Sequence, residues 1–148
     1  MDIIFTGNYH MEAVYNTENR EYKVKEKMSN GQTFLMTFSD LLDDSLDTVY
    51  YNVCISVHNK RKHAYQNEVE KRITGASPFE SAILAMKAFD LLEKEVIARG
   101  ERIGKRIVVV INWSDNRRRD VYYKFLSKRG YQYKIMWGEK CIAKTVCQ

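Results

Sequence analysis

The sequence predicts a mixed α/β (α+β) fold in one domain spanning residues 1–148, with an antiparallel strand meander followed by helix, strand, helix, strand and strand. Three observations lead to this prediction. Residues 20–57 contain alternating and β-branched segments, residues 78–99 repeat apolar side chains with a period near 3.6, and residues 106–111 are almost continuously apolar. An apolar content of 45% is enough for a domain of this length to bury a core.

The first third of the chain is predicted to form strands. The strand-like segments lie around residues 11–15 and at 20–28, 33–38 and 49–57. Asn30 and Gly31 separate the second and third segments, and both tolerate the positive φ that a tight hairpin turn requires. The polar, basic segment at residues 58–72 is expected to be an exposed loop or a short helix.

A complete helix start precedes the periodic segment. Ser77 can cap the helix, Pro78 suits the first helical position and Glu80 can close a capping box. Gly100 stands where a C-cap glycine belongs, so the helix is predicted over residues 78–99.

The last third is predicted to contain a strand, a helix and a hairpin. Residues 106–111 form a strand buried on both faces. A helix capped by Ser114 or Asp115 then runs to about Lys128. Two more strands, at 131–137 and 141–146, flank a turn at 138–140.

The net charge of +5 is unevenly distributed along the chain. Residues 1–57 carry four basic and nine acidic residues, a net of −5, whereas residues 58–148 carry 20 basic and 10 acidic residues, a net of +10. A basic surface in the second part is compatible with polyphosphate, nucleic acid or an acidic protein as partner, and solubility alone explains it equally well. The oligomeric state stays open.

Other features exclude several classes of protein. No apolar run reaches the length of about 18 residues that a membrane helix needs, and no signal peptide is expected, so the predicted location is the cytoplasm. Cys54, Cys141 and Cys147 lack metal-ligand spacing and are expected to be free thiols, with Cys54 buried in its strand. No metal site is expected from the scattered histidines and the acidic segment at 39–47.

The element order over residues 48–146 resembles the C-terminal two-thirds of the GNAT (GCN5-related N-acetyltransferase) fold. In that family the loop before the long helix reads Gln/Arg-x-x-Gly-x-Gly/Ala; Arg72 and Gly75 match it, and Ser77 departs from it. The resemblance implies that backbone N–H groups of this loop bind the pyrophosphate of acetyl-CoA. The cofactor-binding residues it implies are Arg72, Thr74, Gly75, Ala76, Ser77 and Asn116. The alternative is a loop whose glycine only turns the chain into a capped helix.

The second family signature is an Asn at the start of the next helix, a Tyr seven residues later and Gly-Phe/Tyr after the helix. Asn116, Tyr123 and Gly130 followed by Tyr131 fit it. The resemblance implies that Tyr123, or its neighbour Tyr122, donates a proton to the leaving thiolate. Tyr122 falls on the apolar stripe of this helix, so Tyr123 is the candidate catalytic residue. The strand at 49–57 offers no Glu or Asp as a general base.

Residues 115–131 resemble tracts in small bacteriophage-encoded GNAT-like proteins, which implies the host cytoplasm as location. Two functions stay open. One is an acetyl-CoA-dependent N-acyltransferase; the other is a non-catalytic phage-type protein whose charged surfaces bind or inhibit a host protein or nucleic acid. Sequence-specific DNA recognition is not expected, because no helix-turn-helix or zinc-finger signature occurs.

Overall fold

A computed structural model describes residues 11–42, 46–58, 65–67, 78–112 and 116–148. In chain order its strands are β1 Val14–Asn16, β2 Glu21–Lys27, β3 Thr33–Asp40, β4 Thr48–His58, β5 Tyr65–Asn67, β6 Arg106–Ile111, β7 Gln132–Met136 and β8 Glu139–Cys147. The helices are α1 Pro78–Ile103, between β5 and β6, and α2 Asn116–Ser127, between β6 and β7. This is an α+β fold, which confirms the coarse fold class.

The described strands form one mixed sheet with the order β1-β2-β3-β4-β6-β8-β7, and β5 pairs with β4 beside this path. Strands β4 and β6 run parallel, and the other described pairings are antiparallel. The long helix α1 connects the two parallel strands, as a crossover between parallel neighbours requires.

Strand β4 changes its neighbour along its length. Its first half pairs with β6, from Thr48 opposite Arg106 to Asn52 opposite Val110. Its end pairs with β5 instead, from Ser56 opposite Asn67 onwards. Because β3 occupies the other edge of β4 from Tyr51 to His58, β5 takes the edge that β6 leaves, and β4 and β6 diverge beyond Asn52.

Both helices pack on one face of the sheet. Alternate residues of the central strands point to this face because side chains of a strand alternate between its two sides. The buried core there includes Phe34, Phe38, Tyr51 and Val53 from the sheet, Leu84, Phe89 and Leu92 from α1, and Leu126 from α2. The strand alternation is thus confirmed, and the helical stripe is confirmed in part. Phe89, Leu92 and Val96 of α1 are buried, whereas Ile83 is half-buried and Met86 is exposed.

Helix α1 is one turn longer than predicted. It continues through Gly100 to Ile103, and Gly104, with φ of 68°, ends it. A Cβ at Gly100 would lie 2.5 Å from Cγ1 of Ile107 and 2.8 Å from Sγ of Cys147. The predicted cap was therefore wrong, because Gly100 is required for close packing of α1 on β6 and β8.

Other predictions need smaller corrections. Residues 65–67 form strand β5 inside the segment predicted as loop or helix. The last turn lies at Trp137 and Gly138, whose φ values of 50° and 80° fit a two-residue type I′ hairpin. Cys54 is exposed, not buried, because it points away from the helices. Strand β6 is as predicted, with five of its six residues buried.

Candidate functional site

A small apolar cleft, with a cavity volume of about 10 Å³, lies between α1, α2 and the sheet at the divergence of β4 and β6. Its lining residues come from five elements: Met36, Val53, Ile55, Ala85, Phe89, Ile111, Tyr122, Phe125 and Leu126. Val53 and Ile55 follow the last β4 residue that pairs with β6, and Ile111 follows its partner. The separation of the two strands therefore opens the space that these side chains line.

Aromatic packing closes one side of this cleft. The ring of Phe89 on α1 packs edge-on against Phe38, Phe125 and Tyr131, at centroid distances of 5.4, 6.1 and 5.3 Å. These distances and tilted geometries are the favourable arrangement of aromatic quadrupoles. Phe89 thus links α1 to the sheet through Phe38, to α2 through Phe125 and to the chain after α2 through Tyr131.

The outer side of the same divergence is polar. Asn112, just after β6, donates from Nδ2 to Oδ1 of Asn52 at 3.4 Å, and Nδ2 of Asn52 donates to Sγ of Cys54 at 3.5 Å. Desolvation, followed by the charge of Glu21, raises the pKa of the Cys54 thiol. A raised pKa keeps this thiol protonated, so Cys54 is poorly suited to nucleophilic catalysis.

The adjacent tyrosines of α2 occupy different environments. Tyr122 lines the cleft. Tyr123 stacks on Tyr133 of β7, with ring centroids 4.3 Å apart, and the Tyr133 hydroxyl donates to Oδ1 of Asp120 at 2.9 Å. The structure therefore places the predicted catalytic residue Tyr123 beside β7 and its alternative Tyr122 in the cleft.

Of the predicted cofactor-binding residues, the structure describes only the backbone of Asn116. Arg72, Thr74, Gly75, Ala76 and Ser77 lie outside the described residues. Asn116 is the first residue of α2, and the structure does not describe its side chain. The geometry of this predicted loop therefore stays a prediction.

The beginning of α1 is fixed against the β2–β3 turn. The side chain of Glu80 is fully buried, and its carboxylate accepts hydrogen bonds from the backbone N–H of Ser29 at 3.0 Å and from Ser29 Oγ at 2.8 Å. Ala85, which lines the cleft, lies seven residues after Pro78, or about 10 Å along the helix axis. The first turn of α1 and the cleft are thus near neighbours.

One basic residue just after α2 has a structural role. Arg129 donates from Nε and Nη2 to the two carboxylate oxygens of Asp90 on α1, at 2.7 and 2.8 Å, and its guanidinium lies 3.9 Å from the centroid of Phe125. The hydrogen bond to Asp90 raises the pKa of Arg129. Arg129 therefore joins the two helices rather than presenting its charge to a ligand.

A second contact holds the chain after α2 against α1. Tyr131 is buried, and its hydroxyl donates to Oε2 of Glu93 at 2.6 Å. Burial, then the charge of Glu93, raises the pKa of Tyr131, so the phenol stays protonated and remains a donor.

Neither a metal site nor a membrane helix occurs in the part of the chain that the structure describes. Its His, Cys, Asp and Glu side chains form no group of three or more able to hold a metal ion. None of its helices is long and apolar enough to cross a membrane. Comparison with known proteins finds no matching family model, curated protein or solved structure.

Proposed function

We propose that the protein is a GNAT-like N-acyltransferase with acetyl-CoA as acyl donor. The observation that carries this proposal is the apolar cleft between α1 and α2, at the point where the parallel strands β4 and β6 diverge. The family resemblance places acyl-CoA against a splayed pair of strands, with the phosphates at the start of the long helix. The cleft has a position and an apolar lining that suit the thioester arm, and its volume of about 10 Å³, roughly that of one water molecule, means that α1 and α2 must move apart to admit the arm.

The order of elements supports the same proposal. Strand, long helix, parallel strand, second helix and terminal hairpin follow one another in β4, α1, β6, α2, β7 and β8. This is the order on which the resemblance to the GNAT fold rests, and the pairing of β4 with β6 is parallel, as that order requires.

The proposed chemistry is direct transfer of the acyl group to an amine. The neutral amine nitrogen attacks the thioester carbonyl, a C–N bond forms and the C–S bond breaks. The nitrogen loses a proton, and the leaving thiolate takes one. Tyr122 is the proposed proton donor because it lines the cleft. The sequence predicted Tyr123 as the donor instead. Tyr123 stacks on Tyr133 of β7, which favours Tyr122 as the residue that faces the thioester.

Calorimetry with acetyl-CoA tests the binding half of the proposal. Ala85→Leu adds a bulkier side chain to the cleft wall, whereas Ala98→Leu makes the same change at a half-buried position of the same helix outside the lining. We expect wild type and Ala98→Leu to bind with similar affinity, and Ala85→Leu to bind at least ten-fold more weakly. No binding to folded wild-type protein would refute the proposal, and equal binding by all three proteins would refute the assignment of the cleft.

Release of CoA in the presence of a panel of amines tests the catalytic half. Loss of a general acid costs about 10²–10⁴-fold in rate. We therefore expect Tyr122→Phe to lower turnover by at least a hundred-fold with little effect on acetyl-CoA affinity, and Tyr123→Phe to retain turnover. The reverse result would return the catalytic role to Tyr123.

A further inference from the structure

The face of the sheet opposite the helices carries a row of lysines on β2. Lys23, Lys25 and Lys27 alternate with residues that point to the core, so all three lie on this outer face. Lys25 and Lys27 are exposed and Lys23 is half-buried. Successive lysines of this row are about 6.7 Å apart along the strand. Such a repeat suits an extended partner whose negative charges recur at a similar interval.

The strands beside the lysine row add little negative charge. The register places Lys23 opposite Thr37 and then Cys54, and Lys27 opposite Thr33 and then His58. Glu21, which accepts a hydrogen bond from Ser39 Oγ at 3.0 Å, is the acidic residue that the described parts of β2, β3 and β4 place on this face. The outer face of these strands is therefore positively charged.

An aromatic pair lies on the same face, nearer the beginning of β4. The rings of Tyr50 and Trp137 pack edge-on at 5.2 Å, and Trp137 is 57% exposed. Trp137 also has a positive φ of 50°, a backbone conformation that costs a non-glycine residue on the order of 1–3 kcal/mol. An exposed tryptophan held in a strained turn against another aromatic ring is well placed for stacking.

We propose that this outer face binds single-stranded nucleic acid without sequence specificity. The lysine row contacts successive phosphates, and Trp137 with Tyr50 stacks against bases, each of which offers a π face. The aromatic pair favours nucleic acid over an acidic peptide. Among the described residues this face consists of strands, with no projecting helix or ribbon to enter a groove, which favours a single strand over a duplex. The surface lies across the sheet from the apolar cleft, so the proposal does not depend on acyl transfer.

Fluorescence anisotropy with labelled twelve-nucleotide oligo(dT) and oligo(U) tests this proposal on the full chain. The triple variant Lys23→Glu, Lys25→Glu, Lys27→Glu removes the lysine row. The matched control, Lys94→Glu, Arg102→Glu, Lys128→Glu, changes the net charge equally at exposed positions outside this face. We expect the lysine-row variant to bind at least ten-fold more weakly than the control. Its log–log salt slope should shrink by about 2, because each phosphate contact on a single strand contributes about 0.7.

Trp137→Ala separates stacking from charge. We expect a roughly ten-fold loss of affinity with the salt slope unchanged, since stacking on one aromatic side chain contributes on the order of ten- to a hundred-fold per base. Equal loss in the two charge triples would overturn the proposal. So would equally tight binding of a poly-glutamate peptide, or undetectable binding of both oligonucleotides to folded wild type at low salt.

Discussion

The contact between Glu80 and Ser29 predicts a specific effect on stability. Glu80 is fully buried in the first turn of α1, and both of its carboxylate oxygens accept hydrogen bonds from Ser29 in the β2–β3 turn. Ser29→Ala removes the hydroxyl donor at 2.8 Å and keeps the backbone donor at 3.0 Å. Glu80→Ala removes both acceptors and leaves unfilled space beneath the helix.

The geometry sets the expected magnitudes. A hydrogen bond to a charged group contributes about 1.5–3 kcal/mol when protected from water, and because Ser29 is itself exposed we expect Ser29→Ala to cost about 1 kcal/mol. Glu80→Ala should cost about 2–4 kcal/mol, since it loses both bonds and the side-chain packing. The double variant should be less destabilised than the sum of the two by about 1 kcal/mol, because the hydroxyl bond is lost in either single variant.

Urea unfolding followed by circular dichroism measures these three free energies. A control variant, Ser127→Ala, removes a hydroxyl whose bond to the Lys124 carbonyl at 3.2 Å is exposed, and it should cost less than 0.5 kcal/mol. Strict additivity of Ser29→Ala and Glu80→Ala would refute the reasoning, since it would mean that the carboxylate and hydroxyl do not interact in solution.

Three further predictions concern packing, a buried phenol and a histidine. Gly100→Ala should cost about 1–3 kcal/mol in thermal unfolding, because α1 and β6 must move apart, and an unchanged Tm would contradict the close approach. Tyr131→Phe should cost about 1.5–3 kcal/mol by removing the donor to Glu93, and suppression of that loss in a Glu93→Gln background is the check. Desolvation, followed by the charge of Lys25, lowers the pKa of His58 below 6.5. The contribution of neutral His58 to the free energy of unfolding is therefore fully present above pH 6.5, and it is lost as the pH falls through the folded-state pKa. NMR titration should show a higher pKa for His58 in Lys25→Gln, and an unchanged value would exclude the charge effect.

Local sequence patterns predicted most helices and strands correctly, but not the features that depend on contacts between residues distant in the sequence. The bounds of β6 and the start of α1 follow from an apolar run and from Pro78, signals contained in a few neighbouring residues. The end of α1 does not follow from such local signals, because the need for glycine at position 100 comes from residues of β6 and β8. Strand β5 was missed because its pairing depends on the edge of β4 that β6 leaves.

The candidate site shows the same limit. Adjacent positions on one helix gave no reliable choice between Tyr122 and Tyr123, because the choice depends on where β7 and the divergent strands lie relative to α2. The cleft itself could not be predicted, since the strand pattern of residues 49–57 is continuous through the point of divergence. The ion pair of Arg129 with Asp90 could not be predicted either, because the two residues lie 39 positions apart in the sequence and meet only when the helices pack.

The change of neighbour along β4 has a consequence for how the chain folds. The strands from β1 to β5 are joined by short-range antiparallel pairings, and so are β7 and β8, whereas pairing of Thr48 with Arg106 must close the loop that contains α1. Because loop closure makes such non-local contacts slow to form, β4 and β6 should join late in folding. Native-state hydrogen exchange should accordingly show that the strands on the β4 side and those on the β6 side of this pairing open as separate units. Ligand binding in the cleft would couple the opening of the two units.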